Sequence, residues 1–178
     1  MSVHYDLIAI GGGSGGLSAA ERAATYGKKC AIIESKKIGG TCVNMGCVPK
    51  KIMWYAGQLA DAIKDAKDYG FDSQNKGLNW QKLVNNREAY ISDIHDWYGN
   101  YLADSNIDLI EGYARFIDNH TLEVAGKTYT SDHIVIAPGG YPLVPETPGC
   151  ELGITSDGFF ELNQRPQHVV IAGSGYIA

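Results

Sequence analysis

Blocks of apolar and polar positions predict a strand, a helix and a second strand at the start of the chain. Residues 5–10 form a compact apolar run, and small apolar residues then recur at helical spacing up to Gly27. A second apolar run, 30–33, ends at Glu34. Because the glycine-rich stretch 11–16 joins the first run to the helix without a linker, these segments predict one β-α-β unit with parallel strands.

Two longer stretches, 52–67 and 80–102, have the periodicity of helices, and a polar connector separates them at 69–77. From residue 107 the pattern changes to short strands separated by turns, which is typical of a β-meander. The strands are predicted at 108–113, 121–124, 127–130 and 133–137. Pro and Gly then punctuate 138–149 and indicate a loop that leads toward a second domain.

Length, charge and hydropathy narrow the classes of function. A chain of 178 residues can hold one full domain, or a domain and the start of another. Its net charge of -5, from 15 basic and 20 acidic residues, argues against a nucleic acid partner. Without an apolar run of roughly 18 residues or a signal peptide pattern, we expect a cytoplasmic protein with no membrane partner. In that compartment Cys30 and Cys150 are expected to be ordinary thiols.

The glycines after the first strand fit a turn that binds a dinucleotide. Gly11 permits the tight turn, Gly13 lets the backbone approach a pyrophosphate, and Gly16 lets helix and strand pack closely. Glu34 lies about where an acid must be to accept hydrogen bonds from an adenosine ribose. This first fingerprint is compatible with NAD or FAD. Residues 169–178 repeat the pattern, with an apolar strand leading into Gly-x-Gly-x-x-Ala, so two dinucleotides are predicted.

Cys42 and Cys47 have the spacing of a redox disulfide, because one helical turn can bring both sulfurs within bonding reach. Lys50, Lys51 and a helix N-terminus favour the thiolate, which is the form that attacks disulfides. Two other interpretations are a pair of buried structural cysteines and a zinc site. A zinc site lacks a second ligand pair at suitable spacing.

The stretch 39–51, Gly-Gly-Thr-Cys-Val-Asn-Met-Gly-Cys-Val-Pro-Lys-Lys, closely resembles the active-disulfide motif of the pyridine nucleotide-disulfide oxidoreductases. Its Pro-Lys-Lys ending is most similar to that of the glutathione reductases within this family. The resemblance covers residues 4–178 and implies an α/β fold in two parts. A Rossmann-like FAD-binding domain with a parallel sheet and a small β-meander would occupy 1–165. The truncated start of a second Rossmann-like domain, for NAD(P)H, would occupy 166–178.

The resemblance also implies which residues bind the cofactors. For FAD they are Gly11, Gly13, Ser14, Gly15, Glu34, Thr41, Cys42, Lys50, Tyr113, Ala114, Ala137 and Gly139. For NAD(P)H they are Gly173, Ser174, Gly175, Tyr176 and Ile177. Tyr176 would cover the nicotinamide pocket and move aside when the cofactor enters. No metal ligand is implied.

Three residues have implied catalytic roles. Cys47 would make the charge-transfer contact with the flavin, and Cys42 would attack the substrate disulfide. Lys50 would lie near the flavin N5, where a cation stabilises the reduced, anionic ring. Substrate contacts are implied for Ser14, Glu21 and Tyr98.

The implied activity of the intact protein is NADPH-driven reduction of glutathione disulfide, or of a related small disulfide, by a homodimer. NADH is left open as the reductant, because the residues that distinguish the two nicotinamide cofactors are expected beyond Ala178. Dihydrolipoamide or mercuric reduction is the alternative within the family. Lys50 and Tyr98 disfavour that alternative.

Three features depart from the family pattern. Glu21 stands where glutathione reductases often have an arginine or a neutral polar residue, which favours an amidated or cationic disulfide, as in the glutathione amide reductases. Pro138 interrupts the usual Ala-Thr-Gly-Gly turn and removes a hydroxyl and a backbone donor, so we expect weaker FAD binding. The sequence ends before the family's catalytic histidine. We therefore expect an N-terminal fragment that is inactive alone, or a non-catalytic flavin-binding piece.

Overall fold

The β-α-β unit at the start of the chain forms as predicted in the computed structural model, which describes residues 2–178. It consists of β1 (Val3–Ile10), α1 (Ser14–Ala24) and β2 (Cys30–Glu34). β1 and β2 are parallel neighbours, with Ile10 paired to Ile33. The apolar stripe of α1 is buried against these strands, because its helical spacing places those side chains on one face.

The elements that follow are two short and two long helices and four strands. In chain order they are α2 (Gly40–Met45), α3 (Cys47–Asp65), α4 (Trp80–Asp104), β3 (Ile107–Glu111), β4 (Arg115–Asp118), β5 (Thr121–Val124), β6 (Lys127–Ile136) and α5 (Ser156–Phe160). Two 3-10 helices, Ala66–Tyr69 and Cys150–Leu152, complete the regular structure of the described residues.

All six strands form one sheet in the order β3-β2-β1-β6-β5-β4. The first four of these are parallel neighbours. β5 and β4 are added in antiparallel fashion beyond β6 and form the meander. A parallel sheet with a small antiparallel extension confirms the predicted α/β, Rossmann-like fold.

Apolar side chains cover both faces of the sheet. Ala9 and Ile32 belong to one buried cluster, with Leu17 and Ala20 of α1. Ile8 and Ala31 belong to a second cluster, together with Leu122 and Val124 of β5. Because successive side chains of a strand point to opposite faces, a strand that is buried on both sides must be apolar throughout. β2 meets this requirement, since Cys30, Ala31, Ile32 and Ile33 are each at most 1% exposed.

The chain divides into two compact units. The first unit runs up to Asn44 and resumes from Ile91 to Gly140, and it contains the whole sheet. The second unit comprises Met45–Tyr90 and Tyr141–Ala178, with α3 and α5. The expected boundary between domains at residue 165 stays a prediction.

The helices around the cysteines differ from the prediction. α3 begins at Cys47 rather than at residue 52, and α2 as a separate helix was not predicted. Gly46 lies between them with non-helical backbone angles, φ -144 and ψ -114, so the helical hydrogen bonding is interrupted there. The interpretation that one helical turn holds both cysteines is therefore wrong. Cys42 lies on α2, and Cys47 is the first residue of α3.

Two strand predictions also need correction. β6 is a single strand, where the sequence predicts two, and β4 was not predicted. Ser131 interrupts the apolar pattern of β6, but its buried side chain donates a hydrogen bond to the His133 carbonyl at 2.8 Å, which satisfies the hydroxyl inside the sheet. All four residues of β4 are exposed, so no buried face marks this edge strand in the sequence.

The strand predicted before the second fingerprint does not form in the described structure. Residues 168–174 lack regular structure, and Val169, Val170 and Ile171 are each more than 60% exposed. A parallel strand needs a neighbour for its backbone hydrogen bonds, and no strand of residues 2–178 pairs with this segment. The assignment of the fingerprint to NAD(P)H stays a prediction.

Candidate functional site

The first glycine turn lies where β1 ends between its two parallel neighbours. Gly11 has φ +108, and its N–H donates to the Ile33 carbonyl at 2.8 Å. On the other side, the N–H of Ala137 donates to the Ile10 carbonyl at 2.8 Å. A Cβ on Gly11 would lie 2.1 Å from the Ala137 oxygen, so only glycine fits. This is the topological switch point, where open α/β sheets bind their ligands.

α1 begins at this turn with its amide groups open to a ligand. Gly13 is the N-cap, no side chain caps the helix, and its first turn contains no acidic residue. Ser14 and Gly15 are the first helical residues. A Cβ on Gly16 would lie 1.8 Å from the Gly11 oxygen, so this glycine permits the close approach of helix and turn. Unsatisfied N–H groups and the helix dipole make such a start suitable for a pyrophosphate.

Glu34, at the end of β2, is held by backbone donors on both carboxylate oxygens. Gly12 donates to Oε2 at 2.7 Å, and Lys36 donates to Oε1 at 2.8 Å. The Gly12 bond ties the end of β2 to the glycine turn, and the Lys36 bond orients the carboxylate locally, roles that the sequence did not reveal. Each carboxylate oxygen has a further lone pair, so the arrangement fits the predicted contact with a ribose hydroxyl.

The start of α2 lies against the start of α1. Gly39 and Gly40 have φ +97 and +59, and the Gly39 N–H donates to the Gly12 carbonyl at 2.8 Å. A Cβ on Gly40 would lie 2.7 Å from the Gly13 Cα, so the Gly-Gly pair allows this contact. Thr41 and Cys42 occupy the first turn of α2, Thr41 being exposed and Cys42 partly buried.

Asn44 fixes the loop that leads into α2, and sequence reasoning missed it. Its Nδ2, which has two N–H groups, lies within hydrogen-bond distance of the carbonyls of Lys37, Ile38 and Gly40, at 3.2, 3.1 and 2.9 Å, and the three acceptors share these donors. Its Oδ1 lies 2.8 Å from Nε2 of His95 on α4. An asparagine two positions after the first cysteine of the motif was the only available sign in the sequence.

The predicted substrate residues Glu21 and Tyr98 lie close to one another and to Cys42. Burial raises the pKa of Tyr98, and the charges of Glu21 and Cys42 raise it further. Tyr101, one turn later on α4, was missed. Its hydroxyl donates to the Glu21 carboxylate, and this hydrogen bond is the main cause of its raised pKa. Trp97 stacks on the Tyr101 ring with centroids 4.9 Å apart.

The other residues predicted for FAD in the first unit lie at the same edge of the sheet. The Gly112 N–H donates to the Glu34 carbonyl at 2.8 Å, which places the stretch 112–114 beside the end of β2. Tyr113 is 76% exposed, whereas Ala114 packs against the second apolar cluster. Ala137 lies next to Gly11, and Gly139 has φ +75.

The second unit contains Cys47, Lys50 and the residues of the second fingerprint. Cys47 and Lys50 are exposed in the first turn of α3, while Pro49 between them is buried. The Lys50 N–H donates to the Gly46 carbonyl at 3.0 Å, which closes that turn. The residues predicted for NAD(P)H, at 173–177, are exposed.

A cleft of about 310 Å³ in the second unit is lined mainly by apolar side chains of α3 and α4. It contains none of the predicted site residues.

Residues 2–178 lack a membrane-spanning helix, a cluster of metal ligands and a disulfide bond. No helix there is both long and apolar enough to cross a membrane. No group of three or more His, Cys, Asp or Glu side chains in this range could hold a metal ion. No disulfide bond joins any of its four cysteines.

The glycine turn at the switch point and the open start of α1 are what a Rossmann-like, dinucleotide-binding domain requires, and they define the class of this protein. The chain belongs to the pyridine nucleotide-disulphide oxidoreductase family, whose model matches residues 5–178. It is 45% identical over 177 residues to a glutathione reductase from Nostoc sp. (strain PCC 7120 / SAG 25.82 / UTEX 2576). The match covers 99% of this chain and 39% of that relative, so the chain spans less than half of the relative's length. The family indicated by the cysteine motif is thereby confirmed.

Proposed function

We propose that the full-length protein containing this chain is a flavin-dependent disulfide reductase that uses NADPH to reduce glutathione disulfide. The observation that carries the proposal is the contact between Gly13 and Gly40, because it brings the helix with Cys42 to the turn suited to a dinucleotide pyrophosphate. Family membership and the name of the Nostoc relative support the same activity. The full-length protein is also proposed to form a homodimer and to be located in the cytoplasm.

The residues of the first unit fit FAD. The open start of α1 at Ser14 and Gly15 suits the pyrophosphate, and Glu34 has lone pairs for the ribose. Thr41, exposed in the first turn of α2, is the proposed phosphate contact, and 112–114 and 137–139 are the other proposed contacts. Gly173–Ile177 are the proposed contacts for NADPH. When bound, the flavin supplies two-electron transfer from the nicotinamide to a protein disulfide.

In the proposed reaction the two cysteines carry the electrons to the substrate. The reduced protein holds Cys42 and Cys47 as thiols, and the Cys42 thiolate attacks one sulfur of the substrate. The substrate S–S bond breaks, a mixed disulfide with Cys42 forms, and the first thiol leaves with a proton. Cys47 then attacks the Cys42 sulfur and releases the second thiol, which leaves an oxidised Cys42–Cys47 pair. Lys50 is the residue whose cation would stabilise the reduced, anionic flavin when FAD is bound.

Steady-state assays of the full-length protein with bound FAD test this function. We expect NADPH oxidation that depends on glutathione disulfide and that falls by about a thousandfold or more in Cys42→Ser and in Cys47→Ser. Cys150→Ser is the matched control and retains activity. A flavoprotein that turns over no glutathione disulfide with either NADPH or NADH contradicts the proposal. Faster turnover of dihydrolipoamide or mercuric ion would assign another member of the family.

A second candidate substrate is an amidated or cationic disulfide, and Glu21 favours it. The charge of Glu21 acts on Tyr98, which also experiences the charge of Cys42, so a substrate bound between them meets a negative charge. That charge repels the glycine carboxylates of glutathione and tolerates their amides. Glu21→Arg should therefore raise the preference for glutathione disulfide over its amide by about tenfold. Glu123→Arg is the control at an exposed position, and an unchanged ratio in Glu21→Arg excludes this candidate.

A further inference from the structure

Asn44 contributes more hydrogen bonds to the start of α2 than any neighbouring side chain for which contacts are described. Its Nδ2 faces three carbonyl oxygens, which can only accept. The amide nitrogen must therefore point toward the loop, and Oδ1 must point toward His95. Since Oδ1 is an acceptor, His95 Nε2 carries the proton and donates across 2.8 Å.

α2 depends on such tertiary support. It is only six residues long and starts with glycine, whereas isolated helices of fewer than about 12 residues are marginal in water. Val43 is its buried residue, so few apolar contacts hold it in place. The hydrogen bonds of Asn44 to the preceding loop and to His95 on α4 supply the stability that a helix of this length lacks.

α4 presents His95 and Tyr98 three positions apart, so both side chains lie on one face of the helix. His95 reaches Asn44, and Tyr98 lies near Cys42. The same face of α4 thus contacts α2 at Asn44 and carries Tyr98, which experiences the charge of Cys42.

We propose that His95 is a positioning residue for the disulfide chemistry: by donating to Asn44 it holds α2, and with it the sulfur of Cys42, in the attacking position. The expected effect of His95 on turnover rests on the proposed function. The placement of Cys42 can be measured without turnover.

The first experiment measures kcat and KM of the full-length protein with bound FAD. In His95→Leu we expect kcat to fall by about tenfold, because a small misplacement of the nucleophile slows its attack, while KM changes little. His95→Gln retains an N–H donor at the corresponding position and should recover most of kcat. His133→Leu, an exposed histidine on β6, is the matched control.

The second experiment follows iodoacetamide alkylation of Cys42 and Cys47 by mass spectrometry after reduction with dithiothreitol. In His95→Leu we expect alkylation of Cys42 to accelerate by about fivefold, the equivalent of one lost hydrogen bond, while Cys47 reacts at its wild-type rate. Equal changes at both cysteines indicate general unfolding and overturn the proposal. If wild-type protein reduces no disulfide, the proposed function fails, and this ratio still decides the role of His95.

Asn44→Asp tests whether His95 acts through Asn44. The substitution keeps the acceptor for His95 but places an oxygen against the three carbonyls. We expect the same acceleration of Cys42 alkylation as in His95→Leu. The double variant should show no further change, because both substitutions release one network. Additive effects would show that His95 acts by another route and would overturn the proposal.

Discussion

The hydroxyl of Tyr101 donates a hydrogen bond to the carboxylate of Glu21, and this contact links α4 to α1. The bond raises the pKa of Tyr101, because ionised Tyr101 could no longer donate and would place a second negative charge beside Glu21. Trp97 stacks on the same ring. The Glu21 carboxylate therefore has a neighbour on α4 that favours its charged form.

Replacement of Tyr101 by phenylalanine should loosen Glu21 and weaken its influence on charged substrates. In Tyr101→Phe we expect the ratio of kcat/KM for the amidated disulfide to that for glutathione disulfide to fall by about fivefold, the equivalent of a typical net hydrogen bond of about 1 kcal/mol. Tyr90→Phe, at an exposed position of α4, is the control. If both variants keep the wild-type ratio, Tyr101 does not orient Glu21 for substrate selection.

Gly16 should not tolerate even a methyl group. The Cβ of Gly16→Ala would overlap the Gly11 oxygen, so α1 must move away from β1, and we expect a loss of about 3 kcal/mol in the free energy of unfolding. Gly99→Ala is the opposite case, because Gly99 lies within α4 with no atom near the added Cβ. It should gain about 0.5–1 kcal/mol from helix propensity. Urea denaturation measures both, and equal stabilities of the two variants would contradict the packing argument.

Tyr5 should make the protein less stable at high pH. Burial, followed by the hydrogen bond to Asp108, raises its pKa well above the ordinary value of 10. The folded state thus binds the proton more tightly than the unfolded state. The resulting stability is fully present below pH 10 and is lost as pH rises above 10 toward the folded pKa.

The Tyr5→Phe variant tests this pH dependence. We expect it to lose about 1 kcal/mol at neutral pH with the hydrogen bond, and to show a shallower decline in stability above pH 10. Tyr141→Phe, at an 87% exposed position, should follow the wild-type curve. If the stabilities of wild type and Tyr5→Phe fall equally as pH rises above 10, groups other than Tyr5 cause the loss of stability.

Arg87 should fix α5 within the second unit. Its side chain is 2% exposed, and it donates to the Phe160 carbonyl at 2.7 Å and contacts Met53 on α3. Arg87→Met leaves the Phe160 carbonyl without this donor, so we expect a local loss of about 2 kcal/mol. Hydrogen exchange of the α5 amides should accelerate accordingly, whereas Glu88→Gln, which keeps an acceptor oxygen for Arg87 and leaves the Phe160 bond intact, should change exchange little. Unchanged exchange in Arg87→Met would show that α5 is held by other contacts.

Sequence patterns predicted the helices, strands and turns that are determined by residues close together in the chain. The β-α-β unit follows from apolar periodicity, and the glycine turn follows from residues next to one another in the chain. β4 could not be predicted, because it forms by pairing with β5 while all of its residues stay exposed. The same holds for the site. Cys42 and Glu34 belong to local motifs, whereas His95 and Tyr101 act through contacts with distant segments. Outside the site, the burial of Arg87 could not be predicted either, because arginine is usually exposed.

The pairing of β1 with β6 has a consequence for synthesis on the ribosome. β1 is complete once Ile10 has been made, but its partners on one side, from Tyr129 to Ile136, are translated last among the strands of the sheet. At about 5–20 residues per second, the nascent chain must wait on the order of ten seconds for this second neighbour. During that interval the strand has an unpaired, apolar edge that other chains can join. The parallel pairing of β1 on this side is therefore complete only after residue 136 has emerged.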